Sequence, residues 1–366
     1  MKPLIKANIL SVENYEPGLP IEILQRKLGL KGEISKLASN ENPLGPSRLA
    51  VKAIRKALKE GHLYPDTTCH VLKEKISKKL NVPHEHLYVG NGTTELIYLM
   101  GIAFLNEGDG FIMSESSFIM GKIIAQIMNA KLCQIPLKNF RHDLDSIRKA
   151  IAPDTKIVYL DNPMNPIGSM TGRREIEDFM AGIPEDVIVV FDEAYYEYVQ
   201  RTDYPDTLPY VREGRFVIVL RTFSKLFGLA GLRIGYCAAH QQFIQAFKRI
   251  SPPFSVNRLA QAGAEAALED EDHIRRSKDV NENGKIFLCE KLKEMSVFCI
   301  PSETNFVTID VRTDATAIAG ELQRKGVIVR PLTMYGRPTF LRVTVGTFPQ
   351  NLRFIEAFRP LYSRRD

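Results

Sequence analysis

An α/β fold with a mainly parallel sheet is what this sequence predicts, and two observations carry the prediction. Short β-branched runs recur through the middle of the chain: FIM at 111–113, KIVYL at 156–160, VIVVF at 187–191, FVIVL at 216–220 and RIGYCAA at 233–239. They are apolar on both faces, as strands are when helices cover both sides of their sheet. Segments of helical period separate these runs, and parallel strands need such crossovers.

In chain order, the first clear element is the helix in SRLAVKAIRKALKEG. Ser47 suits an N-cap, Gly61 suits a stop, and Val51, Ile54 and Leu58 fall on one face. VGNGTTELIYLMGIAFL then runs from a glycine turn into a second helix, and the strand runs follow. After about residue 255 the texture changes to a long polar helical region, NRLAQAGAEAALEDEDHIRRSKDVNENGKIFLCEKLKEM. Strands follow in TNFVTIDV, GVIVRPL and FLRVTVG, with a helix between the first two. This mixture predicts a separate α+β unit. The expected division is an N-terminal arm with part of a small domain at 1–46, a large domain at 47–255 and a small C-terminal domain at 256–366.

Composition narrows the class of protein. With 366 residues, 44% of them apolar and 25% charged, the chain has core enough for two domains and no sign of disorder. The net charge of +6 is spread along the chain, which suits small anionic ligands and argues against a nucleic-acid surface. Five cysteines without a CxxC pair argue against a disulfide framework and a metal site. MKPLIKANIL lacks the apolar core of a signal peptide, and no run is long enough to span a bilayer, so a cytoplasmic protein is expected.

Ligands of open α/β sheets sit beyond the carboxyl ends of the strands. In this chain those positions are polar: DNPMNPIG follows KIVYL, DEAYYEY follows VIVVF, and RTFSK follows FVIVL. Singly, each has a plain structural explanation as a cap, a turn or a surface charge. Their recurrence at successive strand ends is the informative feature.

GNGTTE, NPMNPIG, FDEAYYEY, TFSKLFGLAGLRIG and LRVTVG, in this order, resemble the fold-type I, pyridoxal-phosphate-dependent aminotransferases of the aspartate aminotransferase superfamily. The Tyr15-Glu-Pro-Gly, ASNENPLGPS and YPD elements are similar to those of the histidinol-phosphate aminotransferase branch. The resemblance covers essentially the whole chain. It implies a seven-stranded sheet in the large, cofactor-binding domain, and pyridoxal 5'-phosphate as cofactor. It also implies exchange of the amino group between histidinol phosphate and 2-oxoglutarate, giving imidazole acetol phosphate and glutamate, in histidine biosynthesis.

The resemblance further implies a role for each matching residue. Lys225 would join the cofactor's aldehyde carbon and then move the proton. Asp192 would hold the pyridine nitrogen protonated, Asn165 and Tyr195 would donate to the phenolic oxygen, and Phe118 would stack on the ring. Thr93, Thr94, Ser224 and Arg233 would hold the phosphate, with Tyr64 reaching it from the neighbouring subunit of a homodimer. Arg342 would grip the substrate carboxylate, with Tyr15, Asn40 and Arg330 as further substrate contacts.

Departures from the family pattern fall at Thr94, Ser116, Met164 and Ile167. The last two bear on loop geometry and substrate choice. Two other enzyme readings share the scaffold: an aromatic amino acid aminotransferase acting on phenylalanine or tyrosine, and a decarboxylase of a phosphorylated amino acid. A cofactor-sensing regulator is disfavoured, because the catalytic pattern begins within the first few dozen residues and leaves no room for a helix-turn-helix.

Overall fold

The computed structural model describes residues 4–14, 21–29 and 32–362. Its centre is a seven-stranded sheet in the order Leu87–Gly90, Gly235–Ala239, Val217–Thr222, Ile188–Asp192, Thr155–Asp161, Gly110–Ser114, Lys131–Ile135. Only Gly235–Ala239 runs against its neighbours. All five runs read from the sequence are strands.

Alternation along the central strands explains their double-sided apolarity. Val158, Leu160, Val189, Phe191, Val217 and Val219 enter one apolar cluster, while Ile157, Tyr159, Ile188, Val190, Ile218 and Leu220 enter another on the opposite face. Each such side chain, fully buried, contributes roughly 1.5–3 kcal/mol. The two strands without a clear sequence signal are the sheet's edges. Lys131–Ile135 is exposed at Lys131 and Gln134, so its sequence is mixed in polarity.

The helix Arg48–Ala57 begins as read, with the Ser47 hydroxyl accepting from the Ala50 amide at 3.0 Å. Two details differ. Gly61 has a right-handed φ of −62° and follows a 3-10 turn, so it is no left-handed stop. Leu58 is 61% exposed, whereas Val51 and Ile54 of the same face are partly buried and Ala50 is fully buried. The reason is the neighbouring helix Arg258–Ala267, whose small side chains set a close approach. A Cβ on Gly263 would lie 3.1 Å from Ile54. Ala260, Ala264 and Ala267 share the apolar cluster of Val189 and Phe191, so this helical layer runs past residue 255.

A second sheet of four antiparallel strands follows, ordered Arg330–Leu332, Arg337–Thr344, Phe306–Asp310, Phe298–Ile300. The helices Glu271–Glu294, Ala315–Arg324 and Phe348–Tyr362 pack around it over a separate apolar cluster. The early segment joins this unit: Ser35–Lys36 pairs with Val327–Ile328, and the Leu37 carbonyl accepts from the Thr344 amide at 2.8 Å. Residues near 40 are thereby carried to the mouth of the large sheet. Among the described residues, no helix is long and apolar enough to cross a membrane.

Candidate active site

A cavity of about 260 Å³ lies at the carboxyl ends of the central strands, closed on one side by the 38–41 segment and by residues of the four-stranded unit. Parallel strands deliver their last residues to one edge. Asp161 and Asp192 are therefore direct cross-strand neighbours.

Lys225 sits in the turn after Val217–Thr222. The Ser224 amide donates to the Thr222 hydroxyl at 3.0 Å, and the Gly228 amide donates to the Lys225 carbonyl at 3.0 Å. Gly228 has a φ of +68°, and a Cβ there would fall 2.2 Å from the Gly45 carbonyl oxygen. Only glycine permits that contact, which presses the turn against the early segment. The Lys225 ammonium donates to the Ser39 carbonyl at 3.3 Å and lies 5.6 Å from the centre of the Tyr195 ring. Burial, aided by the nearby Arg342 charge, lowers its pKa to about 8.

Asp192 accepts from the Tyr159 hydroxyl at 2.5 Å and from the Ala194 amide at 3.2 Å. Burial pushes its carboxyl up to about 6, so it remains ionised at neutral pH. Across the strand gap, burial pushes Asp161 up to about 8, and the charge of Asp192 adds to the rise. One of the two neighbours is thus held neutral. Asp161 accepts from the Phe118 amide at 3.1 Å and from the Asn165 amide at 2.8 Å. It acts through other residues, fixing the backbone that presents Phe118 and Asn165 to the cavity.

Tyr195, Asn40, Asn165 and Arg342 form one network. Asn40, with a left-handed φ of 55°, donates through its amide nitrogen to the Tyr195 hydroxyl at 2.7 Å and accepts from the Thr344 hydroxyl at 2.9 Å. Arg342 donates to the Asn165 side-chain oxygen and to the Ala38 carbonyl, both at 2.6 Å. Burial pushes the Tyr195 phenol far up, so it stays a hydroxyl.

At the opposite end of the cavity, Thr93 and Thr94 lie in the first turn of Gly92–Phe104, where backbone N–H groups lack partners within the helix. Arg233 adopts a left-handed φ of 56° and donates to the Ala230 carbonyl at 3.0 Å, with Ser224 at the 3.5 Å limit. A Cβ on Gly92 would stand 2.6 Å from an Arg233 guanidinium nitrogen, and one on Gly235 would stand 2.9 Å from the Thr93 nitrogen. Three N–H or cationic donor groups therefore converge because two glycines leave room. The arrangement suits a flat ring with a dianionic tail, with Asp192 and Lys225 at the ring and the helix start and Arg233 at the tail.

Most residues singled out in the sequence meet here: Asn40, Thr93, Thr94, Phe118, Asn165, Asp192, Tyr195, Ser224, Lys225, Arg233, Arg330 and Arg342 line the cavity. Tyr64 does not. It is 77% exposed and stacks on Phe254 at 4.4 Å. Tyr15 lies outside the described residues. Met164 and Ile167 pack with Ile300 in a small apolar cluster and do not line the cavity. Ser116 is left-handed, with φ 54°, and donates to the carbonyl of Tyr335, another lining residue. Sequence reasoning passed over Asp161, Tyr159 and the Ser39 carbonyl. Asp161 left a signal, an acid closing KIVYLD as Asp192 closes VIVVFD; a backbone carbonyl from a distant segment leaves none.

Comparison with known proteins agrees with this geometry. The family model described as aminotransferase class I and II matches residues 33–358. The histidinol-phosphate aminotransferase of Moorella thermoacetica is 44% identical over 98% of this chain and 93% of its own. That of Caldicellulosiruptor saccharolyticus is 41% identical over 96% and 98%. Among solved structures, the histidinol-phosphate aminotransferase of Sinorhizobium meliloti in complex with pyridoxal-5'-phosphate superposes with a TM-score of 0.90 at 27% identity, over 99% of this chain and 98% of that one. The aspartate aminotransferase of Thermus thermophilus with maleate shares the fold, with a TM-score of 0.85 at 20% identity and coverage of 99% and 100%.

Proposed function

The chain belongs to the class I and II aminotransferase family, and from that premise we propose that it is a pyridoxal-phosphate-dependent enzyme moving an amino group between L-histidinol phosphate and 2-oxoglutarate. The products are imidazole acetol phosphate and L-glutamate, a step of histidine biosynthesis. The observation that carries the reading is the joint placement of a lysine near pKa 8 and a buried, ionised aspartate in one cavity with an anion cradle.

When bound, the cofactor supplies an electrophilic aldehyde carbon and a protonated ring that draws electrons from the reacting carbon. Thr93, Thr94, Ser224 and Arg233 would hold its phosphate, and Phe118 would cover the ring. Asp192, which accepts from the Tyr159 hydroxyl, would hold the ring nitrogen protonated. Tyr195 and Asn165 would hydrogen-bond the phenolic oxygen. Lys225, with its lowered pKa, is substantially neutral at mildly alkaline pH, and its nitrogen takes and returns the proton at the substrate's α-carbon.

Arg342 presents a planar fork to the carboxylate of glutamate and to the phosphate of histidinol phosphate in alternate half-reactions. Asn40, Arg330 and Tyr15 complete the substrate contacts. The exposed Tyr64 is read as reaching the cofactor phosphate of a second subunit in a homodimer. A cytoplasmic location belongs to the same reading.

Steady-state rates with histidinol phosphate, phenylalanine and tyrosine as amino donors test the assignment. A clear preference for histidinol phosphate is the expected result. A preference for phenylalanine moves the enzyme to the aromatic class, and carbon dioxide release without 2-oxoglutarate consumption moves it to the decarboxylases.

A further inference from the structure

A second cleft, separate from the active-site cavity, lies between the start of His70–Leu80, the 84–89 segment and the 248–256 segment, with a volume of about 550 Å³. Its polar wall is strongly basic. Lys73, Lys248, His70 and His84 line it, against one lining carboxylate, Glu85.

Lys73 is the informative member. It is only 5% exposed, and no hydrogen bond or ion pair of its ammonium is found among the described residues. It stands in the first turn of its helix, where the aligned peptide dipoles oppose a cation. Burial lowers its pKa, and the charge of Lys248 lowers it further. The charge of Asp66, whose carboxylate is hydrogen-bonded by Thr68 and the His70 amide, offsets this only in part, and Glu74 lies 3.5 Å from the His70 ring.

His84 repeats the pattern. Its Nε2 is buried without a partner, its ring centre lies 5.3 Å from that of His70, and burial with the charges of Lys73, His70 and Lys248 depresses its pKa. A protein surface gathers like charges this way, at a cost in desolvation and repulsion, when an anion completes the set.

From this juxtaposition we infer that the cleft is a second anion site, taking a phosphate or phosphomonoester dianion. Lys73 provides the buried contact, Lys248 and the two imidazoles close around the remaining oxygens, and the cleft's volume leaves room for an organic body against Tyr88 and Pro252. Dianion binding satisfies the unpartnered Lys73 ammonium and the unpartnered His84 nitrogen together. The site does not depend on the reaction assigned to the active-site cavity.

The test uses the cofactor-loaded enzyme with excess 2-oxoglutarate to occupy Arg342. Inorganic phosphate is titrated at constant ionic strength while histidine ring signals are followed by NMR. The expected result is saturable movement of the His84 and His70 signals, with a raised His84 pKa in the complex. Lys73→Met and, separately, Lys248→Met should weaken phosphate binding about tenfold or more while leaving turnover at saturating substrates unchanged. Movement that fails to saturate, equal response to chloride, or a phosphate affinity unaltered in Lys248→Met overturns the proposal; that exposed variant keeps the test decisive if Lys73→Met fails to fold.

Discussion

Asp192 and Glu193 are consecutive residues, yet they serve opposite ends. Glu193 turns into a closed pair: it receives the Arg221 guanidinium at 2.8 and 2.9 Å and the Thr207 hydroxyl at 2.5 Å, while Arg221 also lies 3.6 Å from the centre of the Tyr196 ring. Both side chains are almost wholly buried. Asp192 turns into the cavity, and the lysine that shares it, Lys225, makes its hydrogen bond to a backbone carbonyl. Charges that neutralise each other completely have no capacity left for a ligand. Chemistry is available where pairing is incomplete, and burial alone does not distinguish the two cases.

Breaking the open side should hit activity first. Lys225→Ala is expected to abolish transamination and the absorbance of the bound cofactor while the far-UV circular dichroism stays native; full activity in this variant would end the mechanism. Asp192→Ala should lower turnover by on the order of a hundredfold or more, given the typical weight of electrostatic stabilisation in such sites, with expression little changed. Near-normal turnover would remove it from the chemistry.

Breaking the closed side should hit stability instead. Arg221→Met leaves the Glu193 charge buried without its partner and is expected to cost about 3–5 kcal/mol in denaturant unfolding. The protein that remains folded should keep its Michaelis constants. A variant as stable as the parent would show that the pair is not the structural element described.

The comparison sharpens with pH. Lys225 has its ordinary value of 10.5 when unfolded and about 8 when folded, so between those values the unfolded chain binds more protons and stability rises with pH. Without cofactor, Lys225→Met should therefore be more stable than the parent at pH 7, by on the order of a few kcal/mol, with the gap closing from pH 8 to pH 10. Unfolding curves at both pH values measure it, and a pH-independent gap would contradict the lowered pKa. The smallest effect is expected from Arg342→Lys, which keeps the charge and loses the fork. Its Michaelis constant for glutamate should rise about tenfold, and an unchanged constant would reassign the residue to structure.

How far the sequence reached can be judged from particular residues. The central strands were legible because both faces are buried, which forces continuous apolar runs; the edge strand Lys131–Ile135 was not, because its partial exposure relaxes that rule. Ser47 was legible as a cap because capping is local. The end of its packed face was not: Val51 and Ile54 are partly buried as read, but Leu58 is exposed, because the distant helix approaches through Gly263 at Ile54, one turn earlier.

The site divides along the same line. Sequence by itself determined the acids, amides and cations that end each strand, because parallel strands must place them at one edge, and it determined the family through their order. Tertiary structure decided which of them interact and how they are charged. It brought the 38–41 segment and Arg342 over that edge, buried Lys225 beside a second cation, and buried Asp161, next to Asp192, so that its carboxyl stays neutral. Protonation depends on desolvation and on neighbours from distant parts of the chain, and a linear sequence contains neither until the chain is packed.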